Sequence, residues 1–207
     1  MSKQEPLRGR GASDNPQNRF RDTYTDYRLD EETGQKPSQK TQLYRGDTDN
    51  ILSTNDSPDI PFEVSLNPYR GCEHGCIYCY ARPTHEYLGF SAGLDFESRI
   101  MVKYDAAKKL REKLSGKNWQ PKSIVMSGVT DPYQPIERKL KITRSCLKVL
   151  AEHRNPAGII TKNYLVTRDI DYLKTLADRN AASVTLSVTS LDRRLARIME
   201  PRTSTPS

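Results

Sequence analysis

No apolar run in this chain of 207 residues approaches the roughly 18 residues that a membrane-spanning helix needs. The first residues show no apolar run like that of a secretory leader, and no signal peptide is expected. There are only four cysteines, three of them crowded into one short loop, which argues against a disulfide framework and for a reducing compartment. A soluble, cytoplasmic protein is expected. Hydrophobic residues make up 35% of the chain, and the shortage is uneven. Residues 1–60 have few aliphatics and are rich in Gln, Asn, Ser, Thr and Gly. A flexible, disordered polar tail is expected over 1–60 and a core domain over 61–207. The tail holds nine of the 33 basic and eleven of the 26 acidic residues, which leaves the core with 24 against 15. Such a basic domain attracts polyanions and makes nucleic acid a reasonable partner. Charges such as Lys108, Lys109, Arg111 and Lys113 also fit a solvated helix face.

Within the core, strand and helix signals alternate. Phe62 to Leu66 alternates apolar with polar residues and runs into the turn Asn67-Pro68-Tyr69-Arg70-Gly71. Asp105 opens a helix over 106–114 that stops at Gly116. Ser123 to Ser127 reads as a strand, and Thr143 as the cap of a helix carrying Leu147, Val149 and Leu150. Gly158 to Lys162 is a third strand, followed by a helix from Asp169 to Arg179. A fourth strand runs from Ser183 to Val188, and Asp192 starts a helix through Met199. Four strand-helix units in succession predict an α/β fold with a parallel sheet and sites at the carboxyl ends of its strands. The cysteine loop, Thr130-Asp131 and Lys162 all fall at such ends.

Cys72, Cys76 and Cys79 stand in Gly71-Cys72-Glu73-His74-Gly75-Cys76-Ile77-Tyr78-Cys79-Tyr80. A loop this short can wrap three thiolates around one face of an iron–sulfur cube whose full ligand set is four. One iron is then left for a ligand that brings its own donors. Zinc also takes Cys3His sets, with His74 or His85 as fourth ligand, although no second cysteine pair exists here. Cys146 falls among Leu147, Val149 and Leu150, as a buried core thiol would.

The C-x3-C-x2-C spacing with Tyr78 before the last cysteine resembles the signature of the radical S-adenosylmethionine superfamily. The stretches Thr130-Asp131-Pro132-Tyr133-Gln134-Pro135, Ile160-Thr161-Lys162, Leu186-Ser187-Val188-Thr189 and Glu200-Pro201-Arg202 are similar to a bacterial group related to spore photoproduct lyase and labelled DNA repair photolyases. This resemblance covers about residues 61–207. It implies a partial (β/α)6 barrel with about four of six units present, in a member truncated at its carboxyl end. It implies a [4Fe-4S] cluster on Cys72, Cys76 and Cys79, and S-adenosyl-L-methionine chelating the open iron. An electron from a flavodoxin- or ferredoxin-type donor would cleave the cofactor to a 5′-deoxyadenosyl radical. By the same resemblance Tyr78, Thr130, Lys162 and Ser187 are cofactor-binding: Tyr78 at the adenine, Thr130 by a hydrogen bond, Lys162 at the carboxylate and Ser187 at an amine or ribose.

The implied enzyme abstracts hydrogen from a substrate, a nucleic acid being the expected class. Against that group, Ser127 to Asp131 contains no hydrogen-donating cysteine, so repair of a thymine photoproduct by that route is not expected. Two other functions fit the same residues: a zinc-stabilised nucleic-acid-binding module, and an inactive fragment that binds a cluster. For Asp131, before Pro132, the residues alone favour starting a turn.

Overall fold

The computed structural model describes residues 7, 9–21 and 40–206. Its strands are β1 (Gln42–Arg45), β2 (Leu52–Thr54), β3 (Val64–Leu66), β4 (Tyr69–Arg70), β5 (Arg99–Val102), β6 (Ile124–Met126), β7 (Ala157–Thr161) and β8 (Ala182–Leu186). Its α-helices are α1 (Leu94–Ser98), α2 (Ala106–Leu114), α3 (Glu137–Leu140), α4 (Ile142–Glu152), α5 (Ile170–Ala177) and α6 (Arg193–Met199). Two 3-10 helices span Arg82–Leu88 and Tyr164–Asp169. The chain divides into two compact units, one made of Met1–Tyr44, Arg70–Met101 and Thr189–Ser207, the other of Arg45–Tyr69 and Val102–Val188.

The second unit is built on a five-stranded sheet in the order β2-β3-β6-β7-β8. From β3 to β8 every pairing is parallel, and β2 adds antiparallel to β3. The sheet does not close: β2 and β8 are its outer strands. β6 is buried throughout, which suits a short apolar run with helices over it. α2 buries Ala106, Leu110 and Leu114, one helical stripe. It packs on α4, α4 packs on α5, and α5 lies against β8. Leu66, Ile124, Met126, Leu147, Leu150 and Ile159 form the centre of this core. β8 is different, since Val184 and Leu186 are 42% and 59% exposed.

The four expected parallel strands are all present, each displaced or shortened by a residue or two. Thr143 is a correction. It is not the cap of α4, which begins at Ile142 after Lys141 in the left-handed region (φ 55°). Thr143 Oγ1 instead donates to the Pro132 carbonyl at 2.5 Å, and the Glu137 carboxylate takes up the Thr143 and Arg144 amides at 3.0 and 3.2 Å. A carboxylate at that end also opposes the positive end of the helix dipole. Cys146 is fully buried in α4, and burial pushes its thiol pKa upward.

Glu137 and Asp169 are both fully buried, and each is hydrogen-bonded on several sides. Glu137 accepts from the Tyr69 hydroxyl and from Arg168 Nη2 at 2.7 Å. Asp169 accepts from Tyr133 Oη at 3.1 Å, from Arg168 and from Arg144. Buried carboxylates persist only when paired in this way.

The first unit holds most of a three-stranded sheet ordered β1-β5-β4, with α1, α6 and the 3-10 helix Arg82–Leu88. Part of the expected tail takes defined structure. Arg10 and Asn18 are buried, and the segment around them is laced to Asp95, Glu97, Glu86 and Phe90. Gly11 is required there, because a Cβ would fall 1.8 Å from the Gly75 carbonyl oxygen. β1 and β2 also fall within 1–60, so the described residues 9–21 and 40–60 depart from a structureless tail. The expectation for residues 1–6, 8 and 22–39 lies outside the described residues.

Replacing Glu137 by Ala leaves Arg168, Tyr69 and the start of α4 without their shared acceptor. This should destabilise the protein by about 3–5 kcal/mol in urea unfolding, whereas Lys148→Ala on the exposed face of α4 should stay within about 0.5 kcal/mol.

Candidate functional site

The cysteine loop belongs to the first unit. Gly71 and Gly75 hold positive φ of 81° and 69°, and a Cβ at Gly71 would meet the Phe96 carbonyl oxygen at 2.9 Å. These two positions let the chain double back, with the Cys72 amide donating to the Phe96 carbonyl at 2.9 Å. The Cys79 amide donates to the Cys76 carbonyl at 3.3 Å, closing a turn between them. Cys72 and Cys76 are buried, Cys79 is half-buried, and none is in a disulfide. Burial raises the Cys79 thiol pKa and neighbouring Cys72 adds to it, while Arg82 opposes the shift. Among the described residues, no three His, Cys, Asp or Glu side chains converge as a group that could hold a metal ion.

The loop is gripped from three sides within its unit. Arg82 donates through Nε and Nη2 to the Cys76 carbonyl at 3.1 and 2.9 Å. The Ile77 amide donates to the Met199 carbonyl at 3.0 Å, and the Arg202 amide to the His74 carbonyl at 3.2 Å. Tyr78 turns its hydroxyl to the Glu200 carboxylate and to Thr189 Oγ1 (2.8 Å), and the residue stays 46% exposed. Thr189 Oγ1 donates to the same Glu200 oxygen at 2.5 Å. Sequence reading missed Arg82 and gave Thr189 and Glu200, quoted only within stretches of resemblance, no role at the loop; Tyr78 lies 111 and 122 positions from the last two.

His85, a candidate fourth zinc ligand, is fully buried. Its Nε2 meets the Arg99 carbonyl at 2.9 Å, and its ring packs on Phe90 and edge-on to Phe96. Burial pushes its pKa down to about 4.

Thr130, Lys162 and Ser187 lie in the second unit, at the carboxyl ends of β6, β7 and β8. There they are tied into one network. Lys162 Nζ donates to Ser187 Oγ at 2.7 Å, and Thr130 Oγ1 accepts from the buried Gln134 amide at 3.1 Å. Asp131 links the loops. It accepts the Tyr133 amide at 2.8 Å, as the expected turn requires, and also Thr161 Oγ1 at 2.7 Å and the Lys162 amide at 2.8 Å. Such a site offers a cation and hydroxyls to an anionic or polar ligand. A groove of about 560 Å³ lined by Asn50, Lys113, Trp119 and Lys122 is a separate feature, near the amino end of β6.

The sequence matches the radical SAM superfamily over residues 66–207. The chain belongs to this superfamily. It is 38% identical over 147 residues to an uncharacterized protein of Mycobacterium tuberculosis, covering 71% of this chain and 43% of that one. An uncharacterized protein of Methanocaldococcus jannaschii is 33% identical over 137 residues, 66% of this chain and 48% of its own. One from Acidianus two-tailed virus is 30% identical over 179 residues, 83% and 54% of the two. The chain thus spans about half the length of the curated relatives it matches, or less. No solved structure matches it. Among the described residues, no helix is long and apolar enough to cross a membrane.

Because His85 titrates near 4 in the fold and near 6.5 when unfolded, the unfolded chain takes up its proton first on acidification. His85 should therefore withdraw stability as pH falls from about 6.5 towards 4, by about 3 kcal/mol in all. Urea unfolding at several pH values should show a shallower acid loss in His85→Gln than in the wild type.

Proposed function

We propose that the protein is a radical SAM enzyme in which Cys72, Cys76 and Cys79 ligate a [4Fe-4S] cluster. The single observation that carries this reading is the set of three thiols in one clamped loop inside the superfamily match. The donor set fits the group. A cubane takes each of three thiolates on a different iron. When bound, the cluster supplies the electron that cleaves S-adenosyl-L-methionine and yields a 5′-deoxyadenosyl radical for hydrogen abstraction.

The protein's part is binding and orientation. Lys162, steadied by Ser187, would face the cofactor's carboxylate, and the Ser187 and Thr130 hydroxyls its amine or ribose. Tyr78, with its hydroxyl anchored on Glu200, would present its ring to the adenine. The parallel order β3-β6-β7-β8 supports reading the second unit's sheet as the first four strands of a (β/α)6 barrel. The proposed substrate class is nucleic acid, in keeping with the excess of basic residues in 61–207. A lyase-like reaction related to that of spore photoproduct lyase, a flavodoxin- or ferredoxin-type electron donor and a cytoplasmic setting complete the proposal.

The test is anaerobic purification with iron, sulfide and zinc counted per chain, followed by cleavage of S-adenosylmethionine under dithionite. Iron and sulfide with release of 5′-deoxyadenosine are expected. Zinc at one per chain without labile sulfide would replace the enzyme by a zinc-stabilised nucleic-acid-binding module. A full cluster without cleavage would mark an inactive cluster-binding fragment. Cys76→Ala should lose cluster and cleavage, and Cys146→Ala should keep both. Lys162→Ala should weaken cofactor binding about tenfold or more with the cluster intact.

A further inference from the structure

Two triplets of one pattern follow neighbouring parallel strands of the second unit, Asn67-Pro68-Tyr69 after β3 and Asp131-Pro132-Tyr133 after β6. They are anchored alike. Tyr69 Oη donates to the buried Glu137 carboxylate, and Tyr133 Oη to the buried Asp169 carboxylate at 3.1 Å. Their first residues differ. Asp131 closes its turn by accepting the Tyr133 amide at 2.8 Å, and it also holds Thr161 and the Lys162 amide. Asn67 suits such a turn equally well by type. Its Oδ1 is nevertheless buried with no hydrogen-bond partner among the described residues.

Asn67 as a whole is only 8% exposed. A buried acceptor left unpaired is costly, and folded proteins keep few of them. The backbone here is held without it, because Tyr69 is anchored on Glu137 and the Pro68 carbonyl accepts the Lys103 amide at 3.0 Å. The oxygen therefore serves a group that these residues do not supply. There is room for one. A Cβ placed on Gly128, just past β6, would meet Asn67 Nδ2 at 3.7 Å and Oδ1 at 4.0 Å and nothing nearer, so a carbon-sized atom fits beside the side-chain amide.

Asn67 stands on the sheet edge that also carries Thr130, Lys162 and Ser187, at the carboxyl ends of β3, β6, β7 and β8. If Lys162 faces the cofactor's carboxylate, as proposed above, the methionyl amino group lies one carbon from that contact. An amino group brings N–H donors and, as an ammonium, accepts nothing. Ser187 Oγ already accepts from Lys162, and Thr130 Oγ1 from Gln134. We propose that Asn67 is a further binding residue of this site, its Oδ1 accepting a hydrogen bond from the methionyl amino group of S-adenosylmethionine. The inference rests on the cofactor reading above. It gives Asn67 a part in specificity, since a ligand without that N–H leaves the oxygen unpaired.

The experiment uses the full chain purified without oxygen and two probes: S-adenosylhomocysteine, which keeps the amino group, and 5′-methylthioadenosine, which lacks the amino-acid part. Each is titrated by calorimetry into the wild type, Asn67→Leu and Asn67→Asp. Asn67→Leu should bind S-adenosylhomocysteine about tenfold more weakly and 5′-methylthioadenosine as the wild type does. Asn67→Asp, which retains an acceptor oxygen, should hold S-adenosylhomocysteine at least as tightly as the wild type. A pocket that was merely loosened would lose both probes alike. Equal losses on the two probes, or no loss on either, would overturn the proposal. If Asn67→Leu does not fold, Asn67→Ala carries the same pair of titrations. A wild type that binds neither probe would overturn the cofactor reading and this inference with it, whereas a wild type whose affinities Asn67→Leu leaves unchanged overturns this inference alone.

Discussion

The buried Glu97 carboxylate is the point on which the first unit turns. It binds Arg82, which holds the Cys76 carbonyl, and it binds a strap, residues 9–21, through the Gly11 and Ala12 amides. A fully buried carboxylate cannot be left with a missing partner without a large desolvation cost. The order of the loop, of α1 and of residues 10–12 is therefore a single cooperative matter. Glu137 and Asp169 do the same in the second unit, where they join α3, α4 and the 3-10 helix Tyr164–Asp169 through two arginines and two tyrosines.

This shared logic separates what was legible in the sequence from what was not. Parallel strands and helices declare themselves by local periodicity, so β3, β6, β7 and β8 and the helices α2, α4 and α5 are readable from the order of residues alone. The cysteine spacing is equally local. Thr143 misled because its type suits a cap, yet the carboxylate that serves α4 comes from Glu137, across the left-handed turn at Lys141. The strap misled more seriously. Its composition is polar, and its order comes from hydrogen bonds to residues about 65 to 90 positions away, which no window of sequence reveals.

Candidate site residues divide in the same way. Candidates for cluster and cofactor contact, such as Cys72, Cys76, Cys79 and Lys162, can be named from motif and resemblance. The residues that aim them cannot. Asp131 illustrates the middle ground: its turn is a local property, whereas its grip on Thr161 and the Lys162 amide depends on β7 lying beside β6. Family membership adds the class of chemistry over residues 66–207, and the relatives extend well beyond the part that the chain matches.

β8 is one of the two outer strands of its sheet, and Val184 and Leu186 stand on it partly in water. An outer strand keeps a row of peptide groups ready to hydrogen-bond, and bare aliphatic side chains beside that row reward whatever covers them. In concentrated solution two molecules can satisfy both demands by zipping rim to rim. Handling this polypeptide therefore calls for dilute conditions or a charged residue placed at position 184 or 186 as a gatekeeper.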